Sequence, residues 1–295
     1  MQPQSGPARK RSRLQRPGVL CHGVLVPAAV EHGFSIRNTG AEPLNNSPFN
    51  GADRLQDIER RASKIWNYKF FYSIAEQADR LDRTDALKAL AAFLREALSV
   101  AAVARSVVVK ADGLNAWGAR VAVKDYLRFD ADDRPKRLQA FAAACLDLAF
   151  EEVRSRRLND PSRDIPGDVH AMGPSAPLLA VEVRGKKVGP QELSSFVSAC
   201  QRASIGRALM LADSPGQMDL AILAENSNQH SVGTLVEVCT SAPELLSSAL
   251  IWAPLPLDDA IAKFSSSYLA RLKEIEVGVG SLQEWSRAVA VAQNR

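Results

Sequence analysis

The chain is short of everything that would mark a stapled, metal-clustered or membrane-embedded protein. Its four cysteines, Cys21, Cys145, Cys200 and Cys239, lie far apart with no CxxC pair. That spacing excludes a disulfide framework and a thiolate zinc site, and makes a reducing compartment the default. No uninterrupted apolar run is long enough to span a bilayer. The one stretch that imitates a secretory leader, "GVLCHGVLVPAAV", is broken by His22 and Pro27 and lacks a small-x-small cleavage site. The expectation is a cytoplasmic protein with no membrane partner. Internal repeats and long low-complexity tracts are absent as well. A large excess of one charge is absent too: 37 Lys and Arg stand against 33 Asp and Glu, a net charge of +4. Part of that excess sits in "RKRSRLQR", residues 9–16.

What remains is an ordinary globular composition, 46% hydrophobic and 24% charged over 295 residues, enough for a sizeable core. Residues 1–17 read as a disordered basic tail, solubilising or phosphate-contacting. Residues 18–132 read as a mostly helical region. It includes an Asn/Pro/Gly-rich loop at 33–52, and a helical pattern from Asp53 to about Asp82 carries the aromatic run "WNYKFFY". Thr84 is the expected N-cap of the next helix, whose alanine-rich, nearly all-round apolar surface predicts burial. "RVAVKDYLRFDADDRPK" alternates like a short strand followed by a turn.

Residues 133–240 form the expected core of the protein, and residues 241–295 add helices packed on it. The core opens with a helix over 135–157, on whose apolar stripe Glu152 falls while Asp147 and Glu151 point away. A carboxylate on an inward face is costly unless a cation receives it. A strand then begins near Gly167. "APLLAVEVRG" is a second strand, "GPQELSSFVSACQRA" a helix from Pro190, "RALMLAD" a third strand and "TLVEVCT" a fourth. That order predicts an α/β fold with a mixed sheet and crossover helices.

Side chains alternate faces along a strand, so Glu182, Arg184 and Lys186 are expected on one face of the second strand. If the first two strands pair as a hairpin, Asp168 meets Glu182 at one sheet end, with Glu152 arriving from the helix. Carboxylates so arranged suit a hard, oxygen-liking cation such as Mg²⁺, which can polarise a phosphodiester. The bland alternative is an edge-strand glutamate paired with Arg184 or Lys186, a common and weak contact. His170 shares the face of Asp168 and reads as a satisfied polar neighbour rather than a ligand.

"GDVHAM…LLAVEVRGKK" resembles the D…(D/E)xK core of the PD-(D/E)xK nuclease superfamily. More narrowly, "RNTGAEPLNNSPF", "NDPSRDIPGDV" and "AVEVRGKKV" together resemble SacI-type restriction endonucleases, over about residues 33–215 and in the expected order. The resemblance implies a PD-(D/E)xK-like central sheet flanked by helices, with Asp168 and Glu182 as metal ligands. It also puts Arg184 at the usual lysine position. That last residue departs from the pattern, since arginine keeps its charge and cannot pass a proton as a perturbed lysine can. Lys186 is the candidate substitute.

Within the loop, Asn45 and Asn46 have the paired donor and acceptor that adenine presents, and Arg37 can address guanine or phosphate. Asparagines that merely hold a turn are the alternative. The implied activity is that of a type II restriction endonuclease, with Mg²⁺-dependent hydrolysis of double-stranded DNA at a specific sequence. The products would be 5′-phosphate and 3′-hydroxyl ends. Its implied partners are a second copy of the chain, matching a twofold-symmetric site, and a cognate methyltransferase acting on the same sequence. The competing expectations are a catalytically lapsed or repair-associated DNA-binding relative, and a structural protein in which Glu182 is only an ion-pair partner.

Overall fold

The computed structural model describes residues 73–74, 76–78, 80–131, 133–155, 165–230 and 233–294. The tail at 1–17, the loop at 33–52 with Arg37, Asn45 and Asn46, the aromatic run 66–72 and the "DPSRD" block all lie outside them. The chain divides into two compact units, residues 1–102 and 103–295.

Helix α1 spans Arg83–Ser106. Its first turn is capped by Asp82, whose Oδ1 accepts from the amide of Asp85 at 2.8 Å, rather than by Thr84. Its apolar residues are not buried as expected: Leu87 is 58% and Phe93 62% exposed. Alanine, leucine and arginine favour the helix locally, so the segment needs no buried face to be helical.

Helix α2, Ala116–Tyr126, replaces the strand expected from "RVAVKDY". Its buried residues Gly118, Ala119, Ala122, Val123 and Tyr126 recur at helical spacing, and Asn115 Oδ1 caps it by accepting from the Gly118 amide at 2.8 Å. The short apolar run Val121–Ala122–Val123 imitated a strand because periodicity alone does not separate a short apolar run in a helix from one in a strand.

Helix α3 spans Arg134–Leu146 and stops about ten residues short of the expected end. The stop is made by distant contacts. Asp147 receives Arg271 Nη2 at 2.6 Å and Nε at 2.9 Å. The chain then enters a strand, β1 (Val153–Ser155), that the helical pattern had hidden. Strands β2 (Val169–Met172) and β3 (Pro177–Arg184) follow. Next come α4 (Pro190–Arg202), β4 (Arg207–Ala212), α5 (Ala221–His230) and β5 (Leu235–Cys239). Helices α6 (Ala242–Trp252), α7 (Leu257–Glu274) and α8 (Val279–Gln293) complete the chain.

The strands form one mixed sheet in the order β1-β2-β3-β4-β5. The first two pairings are antiparallel, and β3, β4 and β5 run parallel. Alternation along β3 and β4 sorts the core. Val181 and Leu211 join a cluster with Phe141, Phe264, Tyr268 and Trp285 from helices α3, α7 and α8. Ala180 and Met210 face the opposite way, into a cluster with Leu193, Phe196 and Cys200 of α4. The sheet is thus covered on both faces, as parallel strands require. No helix among the described residues is long and apolar enough to cross a membrane.

Candidate active site

The β2–β3 hairpin brings the two sequence-marked acids together. Val169 pairs with Val181, so Asp168 and Glu182 continue that register one residue beyond, toward the carboxyl end of β3. The Asp168 amide donates to the Val181 carbonyl at 2.7 Å, and Oδ2 of Asp168 accepts from the Val183 amide at 2.8 Å. The turn into β2 depends on Gly167, whose φ of +96° disfavours any side chain; a Cβ there would stand 3.0 Å from the Val181 carbonyl oxygen. His170, buried on the same strand, donates from Nε2 to the Pro166 carbonyl at 2.8 Å, which suits the reading of a satisfied neighbour. Gln139 of α3 reaches the Asp168 carbonyl at 3.2 Å.

Arg184 closes the cluster. Its Nη2 is ion-paired with Glu182 Oε1, and its Nη1 stands 3.8 Å from Asp168 Oδ2. The Glu182 side chain is only 13% exposed, against 26% for Asp168 and 38% for Arg184. Burial, and then the charge of Asp168, raise the Glu182 carboxyl to about 7, despite the opposing effect of Arg184. Beneath it, burial and the Glu182 charge push the Cys200 thiol up to about 12. Burial therefore disfavours the ionised form of Glu182, and a cation bound beside it would favour that form.

Two residues do not join the cluster as expected. Glu152 is not on a helix. It precedes β1, where its carbonyl accepts from Met172, so it lies at the end of the β1–β2 ladder away from Asp168. Its exposed carboxylate pairs with Arg154 at 2.6 Å. Strand β3 ends at Arg184 and the chain bends at 185–186, so strand alternation no longer governs Lys186. Lys186 is exposed, and no ion pair among the described residues joins it to either acid.

Among the described residues, no group of three or more acidic, histidine or cysteine side chains is placed to hold a metal. Two carboxylates are nevertheless the donor set that Mg²⁺ uses, the rest of its octahedron being water and substrate phosphate. Their oxygen chemistry fits that ion. The sequence pattern did not reveal the buried Arg134, which binds the backbone directly after Arg184. Nothing in "DDRPK" separates it from a solvated arginine.

No protein-family model matches the chain. It is 34% identical over 274 residues to the type II restriction enzyme SacI of Streptomyces achromogenes, an alignment covering 90% of this chain and 75% of that enzyme.

Proposed function

The chain belongs to the SacI-type type II restriction endonucleases and is a site-specific deoxyribonuclease; from that premise we propose that it hydrolyses double-stranded DNA with Mg²⁺ at Asp168 and Glu182. The observation that carries this reading is the pairing of the two acids at the end of the β2–β3 hairpin, beneath a fixed positive charge. The mixed sheet with helices on both faces supports a PD-(D/E)xK-like core. A bound Mg²⁺ would supply Lewis-acid polarisation of the scissile phosphate and charge for the leaving 3′ oxygen, giving 5′-phosphate and 3′-hydroxyl ends.

The residues of the chain contribute the rest. Asp168 is held by the Val183 amide, which leaves its carboxylate little freedom to turn. Arg184 brings a permanent charge to the phosphate and neutralises the negative phosphorane. It takes no proton. Lys186, on the bend beyond the strand, is the group that can exchange one. Arg37, Asn45 and Asn46 remain proposed base or phosphate contacts, and a dimer of the chain is proposed to match a twofold DNA site.

Plasmid and diverse linear DNA incubated with Mg²⁺, and again with EDTA, test the proposal. Discrete fragments in Mg²⁺ alone are expected, and sequencing their ends reads the site and the end chemistry. Specific retention of DNA without any cleavage would favour the lapsed relative, to which the arginine at the lysine position points.

A further inference from the structure

Arg134, the first residue of α3, touches neither acid of the proposed centre, yet it grips the backbone on which the candidate cations stand. Its Nη1 donates to the Gly185 carbonyl at 3.1 Å. Nη2 donates to both the carbonyl and Oδ1 of Asp213 at 2.9 Å, and Nε to the Leu127 carbonyl at 3.0 Å. The Phe129 ring lies 4.3 Å from the guanidinium. Oδ2 of Asp213 in turn accepts from the Ala242 amide at 2.8 Å, at the start of α6.

The placement matters because of what these backbone groups adjoin. Gly185 directly follows Arg184 and precedes Lys186. Asp213 directly follows Ala212, which is the parallel partner of Arg184 in β4. One buried side chain thus joins the carboxyl ends of two neighbouring parallel strands, where open α/β sheets place their ligands. The approach is close: a Cβ on Gly185 would stand 2.8 Å from Arg134 Nη1. A buried ion pair often adds little net stability over an apolar pair of the same volume. What this one does hold is a turn to a set geometry, through two strands at once. A lysine offers a point charge and could not hold three carbonyls and a carboxylate in one plane.

We infer that Arg134 is a positioning residue of the nuclease centre. Through Gly185 and Asp213 it sets the turn out of β3, and with it the placement of Arg184 and Lys186 against Asp168 and Glu182. The inference rests on the centre proposed above.

Gly185→Ala is the sharpest probe, because the residue is exposed, has no positive φ and meets only the Arg134 guanidinium at short range. Single-turnover cleavage by the full chain should fall about 100-fold, the scale of a small misplacement of reacting groups. Its Kd for cognate DNA in Ca²⁺ should stay within about twofold, measured at a temperature where the variant is folded. Arg134→Lys should show the same split between rate and Kd. The double variant should be no slower than Arg134→Lys alone, since both changes break one joint. Gly185→Ala cutting at the parent rate overturns the inference even if Arg134→Lys fails to fold. Rate losses that add in the double variant, or that track weaker DNA binding, also overturn it. Glu182→Ala is run alongside. If it cuts like the parent, the proposed centre itself falls, and this inference with it; if it is silent while Gly185→Ala is unimpaired, the inference alone falls.

Discussion

Arg184 holds the carboxylate of Glu182, two positions back on the same strand, and its other amino group stands 3.8 Å from Asp168. The two acids of the candidate centre therefore already share a cation, one that cannot be titrated away. A divalent ion entering the site competes with that guanidinium. Arg184→Ala is expected to tighten Ca²⁺ binding in calorimetry while slowing cleavage about 100- to 1,000-fold, the loss typical of removing a transition-state charge. Weaker Ca²⁺ binding in that variant would mean that Arg184 supports the ion rather than competing with it.

Arg184→Lys tests whether the charge or the guanidinium fork matters at this position. A lysine keeps the charge, so cleavage should stay within about tenfold of the parent if charge is what counts. Lys186→Ala, measured beside it, should slow cleavage if Lys186 acts on the phosphate. An unchanged rate would leave Arg184 as the sole working cation.

Removing a carboxylate should separate cutting from binding. Asp168→Asn and Glu182→Ala are each expected to lose at least about 100-fold in cleavage. Gel-shift affinity for cognate DNA in Ca²⁺ should change far less, since phosphate contacts elsewhere supply most of it. Equal losses in both measurements would contradict the assignment of these acids.

The pH dependence follows from Glu182. Its carboxyl titrates near 7 in the folded chain, chiefly through burial and the neighbouring Asp168, against 4.5 when unperturbed. The folded protein therefore holds more protons than the unfolded chain between those values, so in that window this group makes stability fall as pH rises. Below about 4.5 the penalty is absent, and above about 7 it is complete. Glu182→Gln should remove it, so chemical denaturation should find the variant more stable than the parent at pH 8 and not at pH 4. A divalent ion prefers the ionised form, so apparent Ca²⁺ affinity should climb between about pH 5 and 8 in the parent and lose that slope in the variant.

Gly167→Ala tests the turn beneath the site. With φ at +96° and a carbonyl 3.0 Å from the new methyl, the substitution should cost about 1–3 kcal/mol, read as a lower denaturation midpoint. Cleavage should fall as well, because Asp168 is the next residue. A stable variant with full activity would show that the turn relaxes without moving the acid.

Much of this arrangement was legible in the chain itself. The period of two in "LLAVEVR", the proline opening α4 and the alternation of β4 are local signals, and local signals determine strands and helices wherever nothing distant overrides them. They also determined which chemistry was present: two acids in sequence reach of one hairpin, and an arginine two residues beyond the second acid. Only the tertiary structure decided the rest. It made residues 116–126 a helix, because Tyr126 packs on Tyr268 and Trp285 from more than 140 positions away. It ended α3 at Leu146 through Arg271, and so carried Glu152 off the helix and away from the site. It also buried Arg134 against Gly185 and Asp213, 51 and 79 residues distant, a tie that no window of local sequence contains. Propensity and period act over one or two turns of chain, whereas the site depends on contacts that exist only once the sheet has closed.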